Sequence, residues 1–148
     1  MRLERSLDFC LQAASASEAR TWLQDPVMAL SRIKVFRDLK LEGGVLSGYL
    51  AAPFALIGEV RFPFRSRFSA GPDSAELTPL EPAEGENRDT AAELGGRAWL
   101  EEDRVCYQAS LLLEFTLPKG EKWGGRAFRK MAEAAFERTL SRTLQELG

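Results

Sequence analysis

The stretch that decides the reading is VRFPFRSRF, residues 60–68, in which Arg61, Arg65 and Arg67 alternate with Phe62, Phe64 and Phe68. Two readings compete. One is a basic, aromatic surface that stacks and neutralises nucleic acid; the other is a single β-strand seen from both sides. Successive side chains of a strand point to opposite faces, so Val60, Phe62, Phe64 and Phe68 fall on one side and the three arginines on the other. A nucleic-acid platform needs both types on the same surface. The strand reading prevails: an apolar face turned to a core and a charged face turned to water.

Working outward, Leu3–Ala13 alternates too, with Leu3, Leu7, Phe9 and Leu11 opposite Glu4, Ser6, Asp8 and Gln12, the period-two pattern of a half-buried strand. Helical spacing then takes over. Ser17 is expected to cap a helix that buries Ala19, Trp22 and Leu23, and Asp25-Pro26 to end it and start a second short one. From residue 34 the pattern is strand-like for most of the next eighty residues. KVFRDLKLE and VLSGYLAA flank Gly43-Gly44, a pair suited to a tight hairpin. FALIGEVRFPFRSRF (54–68) reads as one long strand and SAELTPLEP as a shorter one, with AEGENRDT (83–90) as a loop. AELGGRAWLEE and VCYQASLLLEFTLP then pair across a turn. WGGRAFRKMAEAAFERTLSRTLQEL (123–147) ends the chain as one amphipathic helix, with Phe128, Met131, Ala132, Ala135, Phe136, Thr139, Leu140, Thr143 and Leu147 on its apolar side.

Composition narrows function. The 148 residues fit one domain (1–148). A formal net charge of −2 argues against a polyanion as main partner. Histidine is absent, which removes the commonest general base and neutral metal ligand. The two cysteines, Cys10 and Cys106, cannot make a zinc site without nitrogen ligands, so no metal is expected. Arg2 and Arg5 before ASA (14–16) imitate a secretion leader, but Asp8 and Gln12 interrupt the intervening apolar segment. No apolar run is long enough to span a membrane. A cytoplasmic protein is expected, and with it two free thiols.

The element order is strand, two short helices, six antiparallel strands and a long helix. This resembles the helix-grip fold of the START-like (SRPBCC) superfamily, and most of all its small bacterial members. The resemblance rests on the strand at 3–13, the helix pair ARTWLQDPVMALSRI, the Gly43-Gly44 hairpin and the helix 123–147. It implies an α+β fold in which a seven-stranded antiparallel sheet curls around the last helix and leaves a hydrophobic cavity between them. It also implies that the first and last strands are neighbours, which places Cys10 close to Cys106 on the outer face of the sheet.

Ligand-lining residues are expected at Tyr49, Phe62, Phe64, Tyr107, Phe128, Met131 and Phe136, with small inward residues at Ser47, Gly58, Gly96 and Ala109. Large and small side chains together can either interdigitate or leave a void, and both remain open. Polar pocket groups are restricted to Tyr49, Tyr107, Ser47 and Arg97, and none forms a catalytic motif. Glu101-Glu102-Asp103 reads as a solvated turn. KGEKWGGR (119–126) lacks the phosphate-loop pattern and reads as a helix entry. The first function expected is therefore carriage or sensing of a hydrophobic small molecule or lipid, without a cofactor. A protein-interaction or chaperone-partner module, including a homodimer, comes second. A cyclase-like enzyme comes third, weakened by the missing histidine.

Overall fold

The structure is a computed structural model and describes residues 2–54, 58–81, 90–116 and 126–146. Seven strands form one antiparallel sheet: β1 (Arg2–Gln12), β2 (Phe36–Glu42), β3 (Val45–Phe54), β4 (Gly58–Ala70), β5 (Ser74–Leu80), β6 (Thr90–Glu101) and β7 (Arg104–Phe115). Their order across the sheet is β1-β7-β6-β5-β4-β3-β2. Helices α1 (Ala16–Gln24) and α2 (Pro26–Leu30) follow β1, and α3 (Arg126–Glu146) follows β7. This is the helix-grip arrangement.

Local signals explain the elements. Gly43 and Gly44 take φ of +58° and +76°, the left-handed region that a tight β2–β3 hairpin requires. Asp25 ends α1, and its side chain accepts from the Met28 N–H to cap α2, with Pro26 in the first turn. The cap of α1 is Ser15, not Ser17: the Ser15 hydroxyl accepts from the Glu18 N–H at 3.1 Å. The helix starts one residue before Ser17 and leaves it exposed in the first turn. The expected strand over 54–68 divides: Phe54 belongs to β3 and pairs with Gly58 of β4. AEGENRDT lies outside the described residues except Thr90, which opens β6, and KGEKWGGR lies outside them except Arg126, which opens α3. Leu147 of the expected helical stripe also lies outside them.

The sheet curls strongly. Ser66 on β4 is fully buried, and its hydroxyl donates to the Leu94 carbonyl on β6 at 2.5 Å. Phe62 on β4 meets Phe115 on β7 edge to face, with ring centroids 5.7 Å apart, although two strands separate them in the sheet order. The inner face and the helices share one core that includes Leu3, Leu50, Phe62, Leu94, Leu113, Phe128 and Phe136. Burial divides VRFPFRSRF as its alternation requires: Phe62 and Phe64 are buried, while Arg61 and Arg67 are exposed and Arg65 half-buried.

Cys10 lies directly opposite Cys106 in the β1–β7 register, on the outer face, with Cα atoms 4.0 Å apart. The two are joined as a disulfide. The expectation of free thiols is thus corrected; it followed from an assumed compartment, whereas the register puts two sulfurs on one face of one cross-strand pair.

Two outcomes test this architecture. Phe62→Ala should cost about 3–5 kcal/mol and Arg67→Ala no more than ~0.5 kcal/mol; equal shifts of the urea midpoint would refute the face assignment. Reducing the Cys10–Cys106 bond releases a loop with a sequence separation of 96, so chain entropy alone sets a loss of up to roughly 4–5 kcal/mol. Unfolding the protein with and without a dithiol reductant measures it, against a Cys10→Ser/Cys106→Ser control that should not respond.

Candidate functional site

The core between the curled sheet and the helices gathers aromatic side chains from distant parts of the chain. Phe9 and Tyr107 stack across the β1–β7 pair, centroids 5.2 Å apart, near the end closed by α1 and α2. Phe36 meets Phe64 edge to face at 5.9 Å. Phe128 and Phe136 come down from α3 and are buried. Five of the seven residues expected to line a site, Phe62, Phe64, Tyr107, Phe128 and Phe136, therefore share one inner cluster.

The other two do not. Tyr49 pairs with Pro63 while Leu50 pairs with Phe62, so Tyr49 and Ser47 point to the outer face. There the Arg61 guanidinium lies 5.0 Å from the Tyr49 ring centroid. The phase of β3 is set by its partner strand: Phe62 and Phe64 must face inward, and the register carries Leu46, Leu50 and Ala52 with them. Met131 is 43% exposed. The buried residues Phe128, Ala132, Phe136 and Leu140 recur every fourth position, and along the neighbouring row 131, 135, 139, 143 burial rises from exposed to buried. Rows of every fourth residue drift around a helix of 3.6 residues per turn, so Thr143 falls within the buried stripe and Met131 at its margin. Arg97 is also exposed on the outer face, where its Nε donates to Gln108 Oε1 at 3.2 Å.

Phe62 and Phe136 are 0% exposed. A side chain with no accessible area borders no space large enough for water, so the middle of the grip is filled in this conformation. Among the expected small inward residues, Ala109 is buried and pairs with Gly96.

Arg5 is a site residue outside the expected set. It occupies an inward position of β1 between Leu3 and Leu7, and a charged residue in an apolar row was the signal. Arg5 forms an ion pair with Glu137 of α3. A cleft of about 420 Å³ opens beside it, lined by Arg2, Leu3, Glu4, Arg5, Arg129 and Glu133. A charged link thus joins the helix to the β1 edge beside the buried Leu3 and Leu7.

Tyr107 is the polar group of the inner cluster. Burial, with the Asp25 carboxylate adding to it, raises its phenol far above the ordinary tyrosine range. It stays a neutral hydroxyl, unsuited to act as a base. Among the described residues, Cys10, Glu101 and Cys106 place their donor atoms within 4.8 Å of one another. The disulfide engages both sulfurs, and Glu101 is held by Trp99 Nε1 at 3.3 Å and Arg104 Nη2 at 3.2 Å.

A family model matches residues 8–145. The chain belongs to the family described as "Protein of unknown function (DUF3809)". No curated protein matches it. Among solved structures, TTHA0849 from Thermus thermophilus is similar at 16% identity and a TM-score of 0.54, over 98% of this chain and 96% of that one. Looser overlays are the Zhui aromatase/cyclase from Streptomyces sp. R1128 (17% identity, TM-score 0.45, 99% and 94% covered) and a START superfamily protein from Mycobacterium smegmatis (13%, 0.42, 99% and 99%). The fold of this DUF3809 chain is START-like, as its strand order and terminal helix show independently. No helix among the described residues is long and apolar enough to cross a membrane.

The phenol of Tyr107 gives a pH test. Its folded-state pKa is raised, so the unfolded chain ionises first, and the contribution is complete below about pH 10 and lost as pH climbs beyond it. Urea midpoints measured from pH 8 to 11 should fall more steeply for the parent than for Tyr107→Phe. Parallel curves would show that the phenol is not buried.

Proposed function

We propose that the protein binds a hydrophobic small molecule or lipid between its curled sheet and α3, as a carrier or sensor, in a single domain spanning the chain. The observation that carries this reading is the combination of an aromatic inner surface with a lid held at one edge by the Arg5–Glu137 ion pair. Exposed or half-exposed ion pairs contribute little to stability, so this link adds little resistance to parting of the β1 side of the grip. A ligand would then lie against Phe62, Phe64, Tyr107, Phe128 and Phe136, separating Phe62 from Phe115 and taking over their contacts. The START-like fold supports the same reading. The proposal includes no cofactor and a cytoplasmic site of action, where the Cys10–Cys106 disulfide is an exception to the usual reduced thiols.

A second reading has its own support. Phe62 and Phe136 at zero exposure describe a filled core, and a filled grip serves equally as the scaffold of an interaction module whose contacts lie outside. Native mass spectrometry of protein purified from its own host, with titration of an environment-sensitive apolar dye and a fatty acid, separates the two. Ligand binding predicts a co-purifying lipid-like mass or saturable dye uptake. It also predicts that Glu137→Gln, which loosens the lid, changes the rate of uptake more than the affinity. No uptake of any apolar probe by parent or variant would leave the interaction module in possession.

A further inference from the structure

The arginines of VRFPFRSRF have no part in the inner site, and the outer face on which they stand holds a cleft of about 780 Å³. Asp38, Lys40, Ser47, Tyr49, Arg61 and Arg65 supply its polar lining. The register aligns three of them: Lys40 pairs with Ser47, and Ser47 with Arg65. An ammonium, a hydroxyl and a guanidinium thus stand in one row over three strands, about 4.8 Å per step at the backbone. Arg61 flanks the row with its guanidinium over the Tyr49 ring.

The charges are unbalanced. Among the described residues, Arg37 pairs with Glu59 and Arg104 with Glu101, whereas Lys40, Arg61 and Arg65 enter no ion pair. Asp38 is the single carboxylate in the lining, against three cations. Such a concentration is local, since the chain as a whole carries −2. The backbone beneath is also irregular. β2 has one more residue than β3 between the pairs Arg37–Tyr49 and Lys40–Ser47, and Asp38 takes a φ of +53°. This bulge turns Leu39 toward the core, where it packs so close to Gly48 that a Cβ there would lie 2.8 Å from Leu39 Cδ2. It returns Lys40 to the outer face beside Ser47. Bulges re-aim side chains in this way. Arg65 is steadied by donating from Nη1 to the Glu81 carbonyl at 3.2 Å, which leaves its other donors free.

We propose that this outer cleft binds a phosphate group. Three cations and a hydroxyl offer more donors than the two oxygens of a carboxylate can use, and they match a dianion with three terminal oxygens. The phosphate is either a soluble phosphomonoester or a lipid headgroup, and the inference is independent of the apolar site.

The test uses the full chain at low salt. Orthophosphate and AMP are titrated calorimetrically, and flotation is measured with phosphatidylcholine vesicles with and without phosphatidic acid. Saturable binding of at least one phosphate source is expected, weakened tenfold or more by Arg65→Glu and by Lys40→Glu, with Arg97→Glu as an outer-face control that leaves it unchanged. Binding of orthophosphate or AMP identifies a soluble ligand; binding confined to vesicles with phosphatidic acid identifies a headgroup. Should Arg65→Glu lower the melting temperature through the lost Glu81 contact, Lys40→Glu on the edge strand decides alone. Absence of binding in every arm, equal binding of a polyglutamate peptide, or indifference to Lys40→Glu would overturn the proposal.

Discussion

The curl of the sheet is the constraint on which the rest depends. A sheet of seven strands has two faces, and the inner one here is too apolar to meet water. Ordinary twist does not bring β4 and β7 into contact with two strands between them; a tight roll does. The buried Ser66 hydroxyl is part of what fixes that roll, because its bond to the Leu94 carbonyl joins β4 to β6 beyond the last β5–β6 pair, Leu77–Gly96. Once rolled, the sheet brings Phe62 onto Phe115 and leaves a trough that only a long amphipathic helix can cover. The positions of α3, the aromatic cluster and the buried phenol of Tyr107 all follow from that closure.

The helix cover is uneven. Its row of Phe128, Ala132, Phe136 and Leu140 is buried, yet the flank that starts at Met131 is open at its beginning. At the β1 edge the connection is the Arg5–Glu137 pair, and near the chain's end Lys34 reaches Glu146 at 3.1 Å. The cover thus combines one apolar seam with charged margins. The outer face has a different character: β4 presents arginines, β3 a tyrosine and a serine, and the bulge in β2 adds a lysine.

Much of this was legible because neighbouring signals agreed. Gly43-Gly44, Asp25-Pro26 and the strict alternation of β1 and β7 each admit one local structure, and together they order the elements. VLSGYLAA was different. Both of its parities carry apolar residues, so alternation could not tell which face holds Tyr49; the register with Phe62 decided, and that is tertiary information. Met131 was expected inside because the apolar stripe was drawn too wide: on a helix of 3.6 residues per turn it falls at the margin of the row Phe128, Ala132, Phe136 and Leu140. Arg5 was visible as a charge in an apolar row and lacked only its partner, which is more than a hundred residues away in sequence. The nearness of Cys10 and Cys106 followed from the strand order, while their oxidation state did not. Whether the grip is open or filled was beyond composition and spacing altogether, because it depends on the curl.

The disulfide also partitions the chain in a way that burial and register do not express. Joining residues 10 and 106 closes a covalent ring that contains α1, α2 and strands β2 to β6. Most of β7 and all of α3 lie outside that ring, as a tail leaving from its clasp. Lifting the helix therefore deforms no part of the ring, and the edge strand β1 cannot slide against β7 or be lent to a neighbouring copy while the clasp is shut. The molecule is a locked frame with a free arm folded across it.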